Sequence, residues 1–170
     1  MARSNTDVRT ALCPGTYDPV TVGHLDIISR CAKNFDMVFV AVVNDAFRKQ
    51  PLFSAEERVS FLEESTRHIA NVTVVVLEGL VVEKARQVGA DSLVKGLRAV
   101  TDFEYEFQMA QLNKKLDPDL ETVYLMASPE YSFLSSSGVK EIARFGGRVD
   151  DLVPPMVAER LAQVYSHPEA

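Results

Sequence analysis

The chain has 170 residues, enough for one domain with a sizeable core. Its 46% apolar and 25% charged residues suit a globular protein in water, and a net charge of −6 argues against a dedicated nucleic-acid binder. No apolar run reaches the roughly 18 residues of a membrane span and the 1–7 segment is too polar for a signal peptide, so the expected compartment is the cytoplasm.

The first predicted strand covers 8–13 and ends in a Pro14-Gly15 turn. Thr16, Tyr17 and then Gly23-His24 follow, before an amphipathic helix over 22–35 with Val22, Leu25, Ile28, Ala32 and Phe35 at helical spacing. A hydroxyl and an imidazole therefore flank a strand-to-helix junction, where backbone N–H groups and the positive helix end attract an anion. A lone histidine at such a place often has no task, but the flanking Gly15, Thr16 and Gly23 favour a phosphate donor. Cys13 and Cys31 are expected as two buried free thiols, not a disulfide or a metal site.

A second strand, 37–43, leads into a loop with Arg48 and Lys49, whose charges on their own read as a solvated surface. Ser54-Ala55-Glu56-Glu57 is a capping box that opens the second helix, with Val59, Leu62 and Ile69 on one side. A strand over 72–77 and a helix over 81–88, stopped by Gly89, come next. The strand at 92–95 delivers Lys95-Gly96-Leu97-Arg98, two cations around a glycine, which suits phosphate. Asp102 is expected to cap a helix running to Leu116, and Glu106 on it suits a ribose or an adenine amino group. After a strand at 122–126, Ser135-Ser136-Ser137 opens a helix over 137–145, where one serine is enough for capping and three suggest an anion nest. The last helix covers 155–165.

Strands alternating with helices, two of them apolar on both faces, predict a Rossmann-like, doubly wound α/β sheet of five parallel strands with flanking helices. A single domain over 1–170 is expected, with frayed ends at 1–7 and 166–170. The ligand is then expected beyond the carboxyl ends of the strands, on the rim formed by 14–24, 44–51, 78–81, 95–106 and 127–137.

Taken together, Pro14-Gly15-Thr16-Tyr17-Asp18-Pro19 with Gly23-His24, Lys95-Gly96-Leu97-Arg98, the 102–106 run and the 131–137 segment resemble the bacterial phosphopantetheine adenylyltransferases, of the T/HxGH nucleotidyltransferase superfamily. The similarity covers roughly 8–160. It implies transfer of AMP from ATP to 4'-phosphopantetheine, giving dephospho-coenzyme A and pyrophosphate, the penultimate step of coenzyme A synthesis. It further implies use of Mg²⁺, a homohexamer and feedback inhibition by coenzyme A. His24 is carried over as the catalytic residue, a transition-state stabiliser that also contacts ATP. Thr16, Lys49, Val81 and Lys95 are carried over to 4'-phosphopantetheine. Thr16, Tyr17, Gly96, Leu97, Arg98, Glu106, Tyr131, Ser132, Phe133, Leu134, Ser135, Ser136 and Ser137 are carried over to ATP, and no residue to a metal. Three positions depart from the family pattern. Lys95 stands where many members carry Arg, Gly138 where a larger apolar residue is usual, and a loop one residue longer leaves Arg48 as an alternative to Lys49.

The acceptor phosphate is already anionic near neutral pH, so direct in-line attack needs no general base, and no Ser-His-Asp set or carboxylate pair stands out. Two rivals remain. One is another enzyme of the superfamily, such as a nicotinate mononucleotide adenylyltransferase or a cytidylyltransferase, separable by pyrophosphate release with each acceptor. The other is a non-catalytic adenine-nucleotide sensor, which has no need of His24 and gives binding without turnover.

Overall fold

The computed structural model describes residues 8–44, 51–98 and 100–166. Arg48, Lys49, the predicted frayed end at 1–7 and, of that at 166–170, residues 167–170 lie outside them. Twelve elements follow in chain order. They are β1 (Thr10–Gly15), α1 (Val22–Asn34), β2 (Met37–Val43), α2 (Ala55–Thr66), β3 (Val72–Leu77), α3 (Val81–Val88), β4 (Ser92–Leu97), α4 (Val100–Leu116), β5 (Glu121–Met126), a 3-10 turn (Pro129–Tyr131), α5 (Ser136–Arg144) and α6 (Pro155–Tyr165).

The strands form one sheet in the order β3-β2-β1-β4-β5, every pairing parallel. Alternation along the central strands makes two cores. Ala11 and Cys13 of β1 and Val38, Val40 and Val42 of β2 pack with Ile28, Leu62, Val139, Val157 and Leu161. Leu12 and Ala41 face the other way, onto Leu77, Val82, Ala85 and Leu93. Ala11, Leu12, Val38, Val40, Ala41 and Val42 are all 0% exposed, which is why these segments read as apolar runs and not as alternating ones. Each such Val or Leu contributes on the order of 1.5–3 kcal/mol by burial.

Element ends follow local chemistry. Thr21 caps α1 and Ser54 caps α2, each in a capping box. Gly89 ends α3 in the left-handed region at φ 67, which a side chain would resist. Arg30 Nη1 donates to Met126 O at 2.7 Å and Ser128 Oγ to Asp26 at 2.9 Å, fixing the segment after β5 against α1.

Several predicted boundaries are corrected. β1 runs through Pro14 and Gly15, which stay in register with Ala41 and Val42, and β4 extends through Gly96 and Leu97, which pair with Leu125 and Met126. α2 stops at Thr66, so Ile69 is not on it; Thr66 Oγ1 donates to Leu62 O, and a turn from Ile69 N–H to Thr66 O follows. α4 starts at Val100, which places Asp102 inside the helix and not at its cap. α5 starts at Ser136, and the 3-10 turn was not anticipated.

The chain reverses its direction of winding between β1 and β4, the place where such sheets bind ligands. The β1–β4 register holds only at Ala11 with Ser92 and Leu12 with Leu93. Pro14 explains the stop. Its carbonyl faces β4, where Lys95 Nζ donates to it at 3.4 Å, and it has no N–H to continue the ladder. The two strands part there, and a cleft opens.

Candidate active site

A cavity of about 540 Å³ fills that cleft. Its walls are Cys13, Pro14 and Gly15 of β1, Val94, Lys95 and Gly96 of β4, the first turns of α1 and α5, and Tyr105 and Glu106 of α4. Of the predicted site residues, Tyr17, His24, Lys95, Gly96, Arg98, Glu106, Tyr131, Leu134, Ser135, Ser136 and Ser137 line it.

His24 is the third residue of α1. Its Nδ1 accepts the backbone N–H of Thr21 at 3.0 Å, so in the neutral ring the proton sits on Nε2. Burial, and then the positive charge of Arg98, push its pKa down to about 4. The ring is therefore a neutral N–H donor near neutral pH, set at the positive end of a helix. Tyr17 lies edge-on to it, with ring centroids 5.2 Å apart. Tyr17 adopts φ 50, rare for a side chain of its size, and its hydroxyl donates to Cys13 O at 3.0 Å. Burial drives its phenol pKa upward, so it stays neutral. The ring folds back over Gly15, where a Cβ would stand 2.8 Å from ring carbons, so only glycine fits.

Lys95 Nζ lies 3.2 Å from Glu106 Oε1. Arg98 Nη1 donates to Leu134 O at 2.7 Å, joining the end of β4 to the approach to α5. The cavity of this acidic chain thus holds two cations, Lys95 and Arg98, beside the carboxylate of Glu106. The serine nest needs correction. Ser135 Oγ caps α5 by accepting Gly138 N–H at 3.0 Å, and Ser136 Oγ donates to Pro19 O at 2.8 Å. Two of the three hydroxyls serve structure.

Other predicted residues are not among those lining the cavity. Thr16 is exposed beside it, with its carbonyl held by Arg58 Nη1 at 2.7 Å. Leu97 is 6% exposed and belongs to the interior, so only its backbone can serve a ligand. Phe133 is 74% exposed, and Ser132 next to it donates to Pro129 O. Val81, the first residue of α3, packs on the core of Leu12, Ala41 and Leu77. Cys13 and Cys31 are buried thiols with Sγ atoms 3.5 Å apart; their hydrogen bond, followed by burial, raises the Cys13 pKa.

Sequence reasoning passed over three residues. Thr21 positions the imidazole, and a Thr three places before His24 was a readable capping signal. Asp18 is buried and accepts Leu52 N–H at 2.9 Å, Phe53 N–H at 3.0 Å and Lys140 Nζ at 2.6 Å. Arg58 is 1% exposed and donates to the carbonyls of Thr16, Val43, Phe53 and Ser54. Its spacing to Phe61 and Leu62 was the available sign that it faces inward.

Fold and site define a nucleotidyltransferase, and residues 12–142 match the cytidylyltransferase-like family. A phosphopantetheine adenylyltransferase of Caldanaerobacter subterraneus subsp. tengcongensis is 55% identical over 93% of this chain and 98% of its own length. Those of Symbiobacterium thermophilum and Rubrobacter xylanophilus are 53% and 55% identical, each over 92% of this chain and over 96% and 94% of their own. The chain belongs to the phosphopantetheine adenylyltransferase family. Among solved structures, a Vibrio parahaemolyticus protein described as a candidate nicotinate-nucleotide adenylyltransferase superposes with TM-score 0.69 at 15% identity, over 93% of each chain. A lipopolysaccharide core biosynthesis protein of Thermoplasma volcanium gives 0.56 at 20% identity, over 72% of this chain and 99% of its own. These two share the fold. Among the described residues, no helix is long and apolar enough to cross a membrane.

Proposed function

We propose that this protein transfers AMP from ATP to 4'-phosphopantetheine, releasing pyrophosphate and forming dephospho-coenzyme A, in the cytoplasm, as one catalytic domain. The observation that carries the reading is a neutral imidazole donor at a helix N-terminus, facing a cleft lined by Lys95 and Arg98, in a chain more than half identical to phosphopantetheine adenylyltransferases. An oxygen of the acceptor phosphate attacks the α-phosphorus of ATP in line, and pyrophosphate leaves with its electron pair. His24 Nε2–H hydrogen-bonds the α-phosphoryl oxygens as charge builds on them. Lys95, with Lys49 from the loop after β2, holds the acceptor phosphate. Arg98 and the first turn of α5 receive the leaving pyrophosphate, and Glu106 orients the nucleoside. Thr16 and Tyr17 after β1, and Gly96 and Leu97 at the end of β4, contribute through their place at the strand ends.

No group of three or more His, Cys, Asp or Glu that could hold a metal ion occurs among the described residues, and the cavity's Glu106 is occupied with Lys95. In this reading Mg²⁺ arrives with ATP as the counter-ion of its phosphates. Coenzyme A carries the acceptor's pantetheine arm and competes with it. A homohexamer is part of the same reading, supported by the exposed Phe103, Phe107, Leu112 and Leu116 of α4.

The test is an assay of the purified protein with ATP, Mg²⁺ and each of 4'-phosphopantetheine and nicotinate mononucleotide. Dephospho-coenzyme A with the first acceptor alone is expected. Turnover only with the second, or ATP binding without turnover, would overturn the reading.

A further inference from the structure

One carboxylate outside the cavity fastens three segments that the chain keeps far apart. Asp18 is 6% exposed and lies on the turn between β1 and α1. Its Oδ1 accepts Phe53 N–H at 3.0 Å, and its Oδ2 accepts Leu52 N–H at 2.9 Å. These two residues stand immediately before the Ser54 cap of α2. Oδ2 also takes Lys140 Nζ at 2.6 Å. Lys140 sits on α5, one turn after Ser136 and Ser137 of the cavity wall. Ser136 in turn reaches back to Pro19 O at 2.8 Å, so α5 and the signature turn are joined twice. Arg58 ties the far side of the turn, through Thr16 O, to Val43 O at the end of β2.

Neither Asp18 nor Lys140 lines the cavity, so neither touches substrate there. Each nonetheless holds a segment that does work in the reaction proposed above, and this inference rests on that reading. In-line transfer depends on placing the acceptor oxygen and the α-phosphorus within a fraction of an ångström of their productive arrangement. The turn that carries Asp18 leads from Tyr17 into α1 and His24, and the first turn of α5 is another wall of the same cavity. We propose that Asp18 and Lys140 are positioning residues that set the first turn of α5 relative to Tyr17 and His24 through one shared ion pair. Burial makes the pair effective. A carboxylate shielded from water holds its three donors in one geometry, and loss of Lys140 leaves Oδ2 with a single backbone partner.

The experiment uses the full-length protein with Lys140→Met, Lys140→Arg and Asp18→Asn. The first readout is amide exchange at Leu52 and Phe53, whose N–H groups Lys140 does not touch. In Lys140→Met their exchange should rise by about tenfold, as expected for a local opening that the ion pair had held shut. The second readout is kinetic. With lost alignment, kcat should fall by about tenfold while ATP affinity, measured without acceptor, moves less than about threefold. Lys140→Arg, which keeps the charge, should restore both. A folded Lys140→Met whose exchange at Leu52 and Phe53 and whose kcat match the parent overturns the proposal, even if it melts earlier. Should Asp18→Asn fail to fold, the Lys140 pair of variants still decides. A parent protein without adenylyltransferase activity would sink the functional reading alone, because the exchange measurement needs no substrate.

Discussion

His24 works as a neutral donor because Thr21 N–H occupies its Nδ1 and burial suppresses its protonation. His24→Ala should lower kcat by about 10²–10³ with the fold intact, the cost of losing one donor to a developing oxyanion. Steady-state kinetics alongside circular dichroism checks this, and an unchanged kcat would remove His24 from the mechanism. The same side chain links stability to pH. Its folded pKa of about 4 lies below the 6.5 of the unfolded chain, so between these values the unfolded state binds more protons. Stability should therefore decrease as pH falls through that window, by up to about 3 kcal/mol below it. Urea titrations from pH 7 to pH 4 should show this slope flattened in His24→Gln. At Lys95, removal of the charge by Lys95→Ala should raise the acceptor KM, lower kcat and weaken coenzyme A inhibition, with ATP affinity little changed. An intact acceptor KM combined with lost ATP binding would exchange the roles of the two cation sets. That His24, Lys95, Arg98 and Glu106 share one cavity was legible because His24 opens a helix, Lys95 and Arg98 flank a strand end and Glu106 closes the acidic 102–106 run. The contacts of Asp18 and Arg58 were not legible, because their partners are mostly backbone groups far away in the chain, and nothing local marks them.

Ser135 shows how a short helix is set against a cavity. It satisfies the Gly138 N–H and sets the first turn of α5 against the cavity. Ser135→Ala should cost about 1 kcal/mol in thermal or chemical denaturation. Ser135→Asp, which keeps an acceptor, should recover much of that stability but repel the leaving pyrophosphate and raise the ATP KM. Equal ATP KM values in the two variants would show that this helix end does not face the nucleotide. β2 was easy to place, because burial on both faces leaves an unbroken apolar run after Asp36, whereas the edge strands β3 and β5 are only partly buried. Helix starts were read well where a capping box stood, at Ser54, and poorly at α4. There Asp102 offered a plausible cap, but the backbone already winds from Val100. The strand ends at Gly15 and Leu97 were set by the neighbouring strands' register, which a linear reading does not see.

For the molecule as a unit, the proposed hexamer would draw on α4, where Phe103, Phe107, Leu112 and Leu116 are each close to half exposed or more. Light scattering at micromolar concentration should give six times the chain mass, and Leu112→Glu should reduce it; a stable parent monomer would refute the hexamer. The parting of β1 from β4 has a mechanical consequence. On one side β1, β2 and β3 are joined by ladders running their full length, and on the other β4 and β5 are joined likewise. Between these two plates the strand ladder shrinks to the pairings at Ala11 and Leu12, flanked by Asp91 N–H on Thr10 O and by Lys95 Nζ on Pro14 O. The sheet therefore has a seam, and the cavity lies along it. Any ligand gripping both Lys95 on one plate and the α1 terminus on the other acts as a rivet across that seam. At equal saturation, a bisubstrate mimic should raise the melting temperature by more than ATP and acceptor fragments do separately, and should slow amide exchange on both sides of the seam together.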